Sequence, residues 1–212
     1  GDLVAALLEH LDHVGVALER GGDAEHRERP AARLELAQHA PQAGARAVLG
    51  GALRAGWGID CAGSLSCEGE LRAAWDVRCD GPLEVGGNAV VGLELHGEDA
   101  LSFGKGLQVG GDILAGTTLR ARQGIVAGGS IRCAMHLQAG WGIKAAGDIL
   151  AEGSIRAGES LSAGEEIRAG AGYGVFAGLE VPVDAWEASA RVSARRKPAG
   201  LMSGWWAGDG ER

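Results

Sequence analysis

From Leu53 onward an aliphatic residue returns at every sixth position, and a small residue stands two places after it. The stretch from 111 to 170, GDILAGTTLRARQGIVAGGSIRCAMHLQAGWGIKAAGDILAEGSIRAGESLSAGEEIRAG, shows the beat at its cleanest. Counting in sixes leads from Leu53 through Ile59 and Leu65 to Ile167 and Tyr173 without an insertion. The second slot holds Ala55, Cys61, Cys67, Ala73, Cys79, Val85, Val91, Gly97, Phe103 and Val109, then Ala or Cys as far as Ala169, and finally Val175. Residues i and i+2 of an extended chain face the same way. Each hexad therefore predicts a short strand with one large and one small side chain inward, followed by a bend of Gly, Ser, Asp or Thr.

Three hexads per turn would stack residues eighteen apart, and the three resulting columns differ in character. Ile59, Val77, Leu95, Ile113, Ile131, Ile149 and Ile167 form a largely β-branched column. Leu65, Leu83, Leu101, Leu119, Leu137, Ile155 and Tyr173 form a leucine column, and Leu53, Leu71, Ala89, Leu107, Ile125, Ile143 and Leu161 a mixed one. The pattern predicts an all-β solenoid over residues 47–176. It is a triangular parallel β-helix of about seven coils, ~34 Å long at about 4.8 Å per stacked strand.

The flanks break the beat. Residues 2–20, DLVAALLEHLDHVGVALER, place Leu3, Leu7, Leu8, Leu11, Val14 and Leu18 on one helical stripe behind Asp2 as N-cap. The polar link GGDAEHRERP leads to a second short helix expected at 31–39. Residues 1–46 thus read as a helical N-terminal cap and linker. Residues 177–212 read as an irregular C-terminal cap, with Trp186, Met202, Trp205 and Trp206 suited to covering the final coil. A finite solenoid needs such caps, because its end layers expose apolar side chains and strand edges.

Composition narrows the function classes. The chain has 212 residues, 38 of them Gly, with one Tyr and two Phe, so the interior is aliphatic and the turns are many. A net charge of −8 argues against nucleic acid as the main partner. With no apolar run long enough for a membrane span and no charged-then-apolar leader, the expectation is a cytoplasmic protein without a membrane partner.

Chemistry-bearing residues point away from catalysis. Cys61, Cys67, Cys79 and Cys133 all occupy the small inward slot and read as reduced core thiols, although Cys61 and Cys79 stack one coil apart. His96 and His136 fall at positions facing water, with no neighbouring nucleophile or acyl-donor cradle, and His10 and His13 lie on the polar side of the expected helix. Asp76, Glu94, Asp112, Ser130, Asp148 and Glu166 recur at eighteen as an acidic ridge, expected to be partly neutralised by the basic residues two places on. No metal site and no cofactor are expected.

Outward apolar residues are more informative. Trp57, Trp75 and Leu93 form a strip on one corner, where the solenoid's own core gains nothing, so a terminal segment or a partner is expected to cover it. Arg78, Leu114, Arg132, Leu150 and Arg168 project from one face as a second candidate contact surface. The basic cluster Arg191, Arg195, Arg196 and Lys197 reads as a solvated stretch.

The repeat phase carries a resemblance. In Ile149-Leu150-Ala151 and Ile155-Arg156-Ala157 the small residue follows the aliphatic one, the reverse of the left-handed acyltransferase hexapeptide. Over residues 53 to about 176 this resembles the right-handed triangular β-helices of bactofilins and of the C-terminal domain of the division inhibitor MinC, with their Gly-Asp-Ile and Val-x-Ala-Gly phrases. That resemblance implies a right-handed coil. Three functions compete: a non-catalytic scaffold that binds another protein, in one version neutralising a toxin or inhibiting an enzyme; a bactofilin-like subunit that assembles with itself; and, least favoured, a hexapeptide acyltransferase.

Overall fold

The computed structural model describes residues 46–208, together with the backbone of Val16–Leu18 and Ala32–Leu36. Successive hexads form short strands that fall on three different sheets, as Ile113–Ala115, Leu119–Ala121 and Ile125–Ala127 do. Residues eighteen apart pair in parallel register: Ile113 lies opposite Leu95 on one side and Ile131 on the other. The chain is a three-sided parallel β-solenoid. Its sides are named here by their inward columns as the isoleucine, leucine and mixed faces.

The alternation of large and small inward residues fills the column. Ile113, Leu119, Ile125, Ile131 and Leu137 have no exposed surface, and no buried polar or charged residue lies among the described residues. Backbone groups are satisfied from coil to coil. Ile113 N–H donates to the Ser130 carbonyl at 2.9 Å, Ala134 N–H to Ala115 at 2.9 Å, and at the bend Gly129 N–H to Gly111 at 2.9 Å. Coils therefore approach closely even at the corners. A Cβ on Gly128 would stand 2.1 Å from the Gly110 carbonyl oxygen, which excludes a side chain there without backbone movement.

Among the described residues each sheet has nine strands, so the stack is about nine levels tall rather than seven. The extra levels come from the flanks. Ala32–Leu36, expected as helix, is a strand paired in parallel with Ile59–Cys61, and Val16–Leu18, within the first expected helix, is a strand antiparallel to it. The rest of the expected N-terminal helices lies outside the described residues. Arg46–Leu49 pairs with Ser64–Cys67, placing Ala47 over Leu65.

The C-terminal segment is likewise less irregular than expected. After a 3-10 turn at Val183–Ala185 and a helical turn at Trp186–Ser189, Arg191–Ser193 and Trp205–Gly208 extend the mixed face. Leu201–Ser203 extends the leucine face. Packing of Val192 on Leu161 outweighs the local polarity of the segment, and Val192 is fully buried.

One hexad position is also corrected. Tyr173 is 51% exposed, and Val175 takes the large inward place opposite Ile155. The beat slips by two residues at Ala171 and Gly172, where Gly172 adopts a φ of 81° and Tyr173 N–H turns back to the Gly170 carbonyl at 3.0 Å.

Ile131→Ala removes a fully enclosed side chain from a column with no room to collapse. Chemical denaturation is expected to show a loss of about 2–5 kcal/mol. Lys144→Ala, on the outward side of Ile143–Ala145, is expected to stay within about 0.5 kcal/mol of the parent.

Candidate functional site

The outward residues of the isoleucine face inherit the register of the core. Asp60, Arg78, His96, Leu114, Arg132, Leu150 and Arg168 are successive ladder partners, so they stand in one straight row. Four of the expected contact residues on this face fall around a shallow groove of about 360 Å³, lined by His96, Leu114, Arg132, Leu150, Glu152 and Arg168.

Charges along the row are unequally engaged. Arg78 reaches Asp80 at 3.7 Å and Glu98 at 3.6 Å, His96 faces Glu98 at 3.8 Å, and Arg168 faces Glu166 at 3.9 Å. Arg132 has no ion pair among the described residues and stands between Leu114 and Leu150.

The tryptophan strip belongs to the corner that leads into this same face. Trp57 and Trp75 meet edge to face, with ring centroids 5.0 Å apart at 83°. Their backbones stack as well: Trp75 N–H donates to Trp57 at 3.4 Å and Leu93 N–H to Trp75 at 3.3 Å. Trp57 is 46% and Leu93 43% exposed and Trp75 is half-buried, so the described residues leave this corner partly open. Further along, the corner residues are Gly111, Gly129 and Gly147, and the outward apolar residues become Leu114 and Leu150. All eight sequence-selected residues thus share one side of the molecule, running diagonally from corner to face centre.

The acidic ridge is held in two ways. Glu166 faces Arg168 of the basic row at 3.9 Å, and the short side chains of the ridge accept backbone N–H groups from the next coil. Asp76 Oδ1 accepts from Glu94 at 3.1 Å, Asp112 Oδ1 from Ser130 at 2.6 Å and Asp148 Oδ1 from Glu166 at 3.1 Å. Ser130 Oγ and Asn88 Oδ1 do the same for Asp148 and Gly106, both at 3.1 Å. A short acceptor just before the large inward residue is what these positions share. Sequence reasoning treated them as charges and so passed over that role.

His136 joins this ladder. Its Nδ1 lies 3.1 Å from both Ser154 Oγ and Ser154 N, and its ring packs edge to face on Tyr173 at 5.5 Å. The backbone N–H occupies the Nδ1 lone pair, so the imidazole is not placed to take the Ser154 proton. His96 is on a different face, where it meets Glu98, and no nucleophilic side chain is bonded to it among the described residues.

The four cysteines are buried free thiols. Cys67, Cys79 and Cys133 donate to carbonyls of Gly51, Gly63 and Thr117 at 2.9, 3.1 and 2.9 Å, a bond that the alanines of the same slot cannot make. The neighbouring Cys79 thiol draws the Cys61 thiol down, against its burial, and Cys79 is pushed up by Cys61 and by its own burial. Burial pushes Cys67 and Cys133 up. No group of three His, Cys, Asp or Glu side chains could hold a metal among the described residues, and no helix there is long and apolar enough to cross a membrane.

Compared with family models, curated proteins and solved structures, the chain matches none. Its reading therefore rests on its own geometry.

Replacing Asp112 by Ala leaves the Ser130 N–H without its 2.6 Å acceptor. Thermal or chemical unfolding is expected to register a loss of about 1 kcal/mol, with Asp112→Asn recovering most of it because the amide oxygen can accept the same proton.

Proposed function

We propose that this chain is a non-catalytic scaffold whose isoleucine face binds another protein. The observation that carries the reading is the juxtaposition of an open Trp57/Trp75/Leu93 corner with the Leu114, Arg132 and Leu150 row, on a face that needs none of them for its own core. An exposed aromatic corner that continues into half-buried leucines flanking an arginine without an ion pair among the described residues is a combination protein interfaces favour. Rigidity supports it further, because residues held by a continuous ladder lose little freedom on binding. Toxin neutralisation or enzyme inhibition would be specific uses of such a face.

The test is affinity capture from the source cells with the immobilised chain, followed by reconstitution with the purified captured protein. Leu114→Asp combined with Leu150→Asp is expected to weaken that complex at least tenfold, and Trp75→Ala to weaken it measurably, while circular dichroism stays unchanged. A complex of unaltered affinity in both variants would remove this face as the interface.

A second reading, assembly of copies end to end, is favoured by one observation: the C-terminal segment continues the coil. Leu201–Ser203 and Trp205–Gly208 end their sheets at that end of the stack, with Met202 71% exposed. At the opposite end, Arg46–Leu49 and Leu53–Ala55 end the same two sheets. Edges with no further strand among the described residues can template one from another copy. Under this reading, light scattering coupled to size-exclusion chromatography is expected to show mass rising with concentration, and Met202→Lys with Trp205→Glu to return the protein to monomer. A concentration-independent monomer would dispose of it.

A further inference from the structure

The isoleucine face stops one level short of its neighbours. Its last strand, Ile167–Arg168, pairs with Ile149–Leu150 and, among the described residues, with no later strand, whereas the other two faces each gain one more strand beyond that level. The cause is a shortage of chain. Passing from the mixed face across the isoleucine face to the leucine face takes twelve residues from Ile143 to Ile155, but only nine from Val192 to Leu201. Arg195 N–H still reaches the Glu165 carbonyl at 2.9 Å, one register step off the regular corner pattern. Beyond it the chain cuts across, with Pro198 unable to donate, and Leu201 N–H closes a turn onto Pro198 at 3.2 Å.

The space left beside Ile167–Arg168 is a groove of about 480 Å³, walled by Asp148, Glu165 to Ala169 and the segment from Arg195 to Gly200. Lower in the stack each large inward residue donates its N–H one coil onward, as Ile131 does to Asp148 and Ile149 to Glu166, both at 2.8 Å. Ile167 N–H and the Ala169 carbonyl have no such partner among the described residues. The charges at the rim are not balanced. Glu165 is taken by Arg195 at 2.7 Å, Glu166 faces Arg168 at 3.9 Å, and Asp148 Oδ1 accepts Glu166 N–H. Arg196 and Lys197, both exposed, have no ion pair among the described residues.

We propose that this groove takes an extended acidic peptide segment, which adds to the isoleucine face as its missing strand. Backbone pairing would come from the free edge of Ile167–Arg168, and alternate side chains would supply selectivity. The register specifies them: a large aliphatic over Ile167, an acidic residue outward beside Arg168, and a small residue over Ala169. Flanking carboxylates would meet Arg196 and Lys197. The same order, aliphatic, acidic, small, already occurs in this column at Ile59-Asp60-Cys61.

The probe is a fluorescein-labelled Gly-Glu-Val-Glu-Ala-Glu-Gly peptide added to the full chain, with binding read by fluorescence anisotropy. A saturable rise is expected, weakened at least tenfold in the Arg196→Glu, Lys197→Glu double variant. It is expected to be abolished when alternate peptide amides are N-methylated. Inserting Gly-Ser-Gly after Lys197 restores the twelve-residue run, so the chain can fill its own groove, and this variant is also expected to lose the peptide. Circular dichroism checks that each variant keeps its fold. Absence of saturable binding overturns the proposal. Equal binding by the N-methylated peptide also overturns it, since charge attraction alone would then account for the signal, and undiminished binding by both protein variants overturns it by placing the peptide elsewhere on the chain.

Discussion

Hydrogen bonding between residues eighteen apart is the constraint on which the rest of the molecule depends. Every coil offers its N–H groups and carbonyls to the next, at strands and at bends alike, so a position in one coil fixes the position above it within the width of a backbone. The aliphatic column follows from this, because in-register stacking lays Ile on Ile and Leu on Leu. Outward rows follow too. A side chain that serves nothing inside the solenoid is still set in a fixed row by a ladder made for the core.

The corners show how that ladder is finished. A bend exposes backbone groups that a strand would pair, and this chain satisfies them with short acceptors from Asp, Asn, Ser and His, each serving the coil after its own. The carboxylates gain charge-assisted bonds in place of mutual repulsion. This explains why an acidic ridge with like charges about one strand spacing apart is tolerated on a chain already at −8.

Much of this was legible in the sequence for a physical reason: a period of six with a superperiod of eighteen has few geometric solutions. Ile113 facing Ile131, and the grouping of Leu114, Arg132 and Leu150, both follow from counting. Counting fails where length changes. Two added residues at Ala171 and Gly172 exchange Tyr173 for Val175, a slip the aromatic residue concealed because it looks hydrophobic enough to be buried. Ala32–Leu36 was unreadable for another reason, since a short apolar run fits helix and strand equally and only pairing with Ile59–Cys61 decides it. The groove beside Ile167 depends on a nine-residue interval between Val192 and Leu201, which has no meaning until Val192 is known to face inward.

A backbone that pairs only with the coils directly above and below it also bears on how such a chain can change over generations. Duplicating or deleting one eighteen-residue unit from the regular middle would move the two ends apart or together by a single rung and leave every remaining junction as it was. Length is thereby separated from architecture, and the separation between tryptophan corner and C-terminal groove becomes a quantity that heredity can adjust in whole steps.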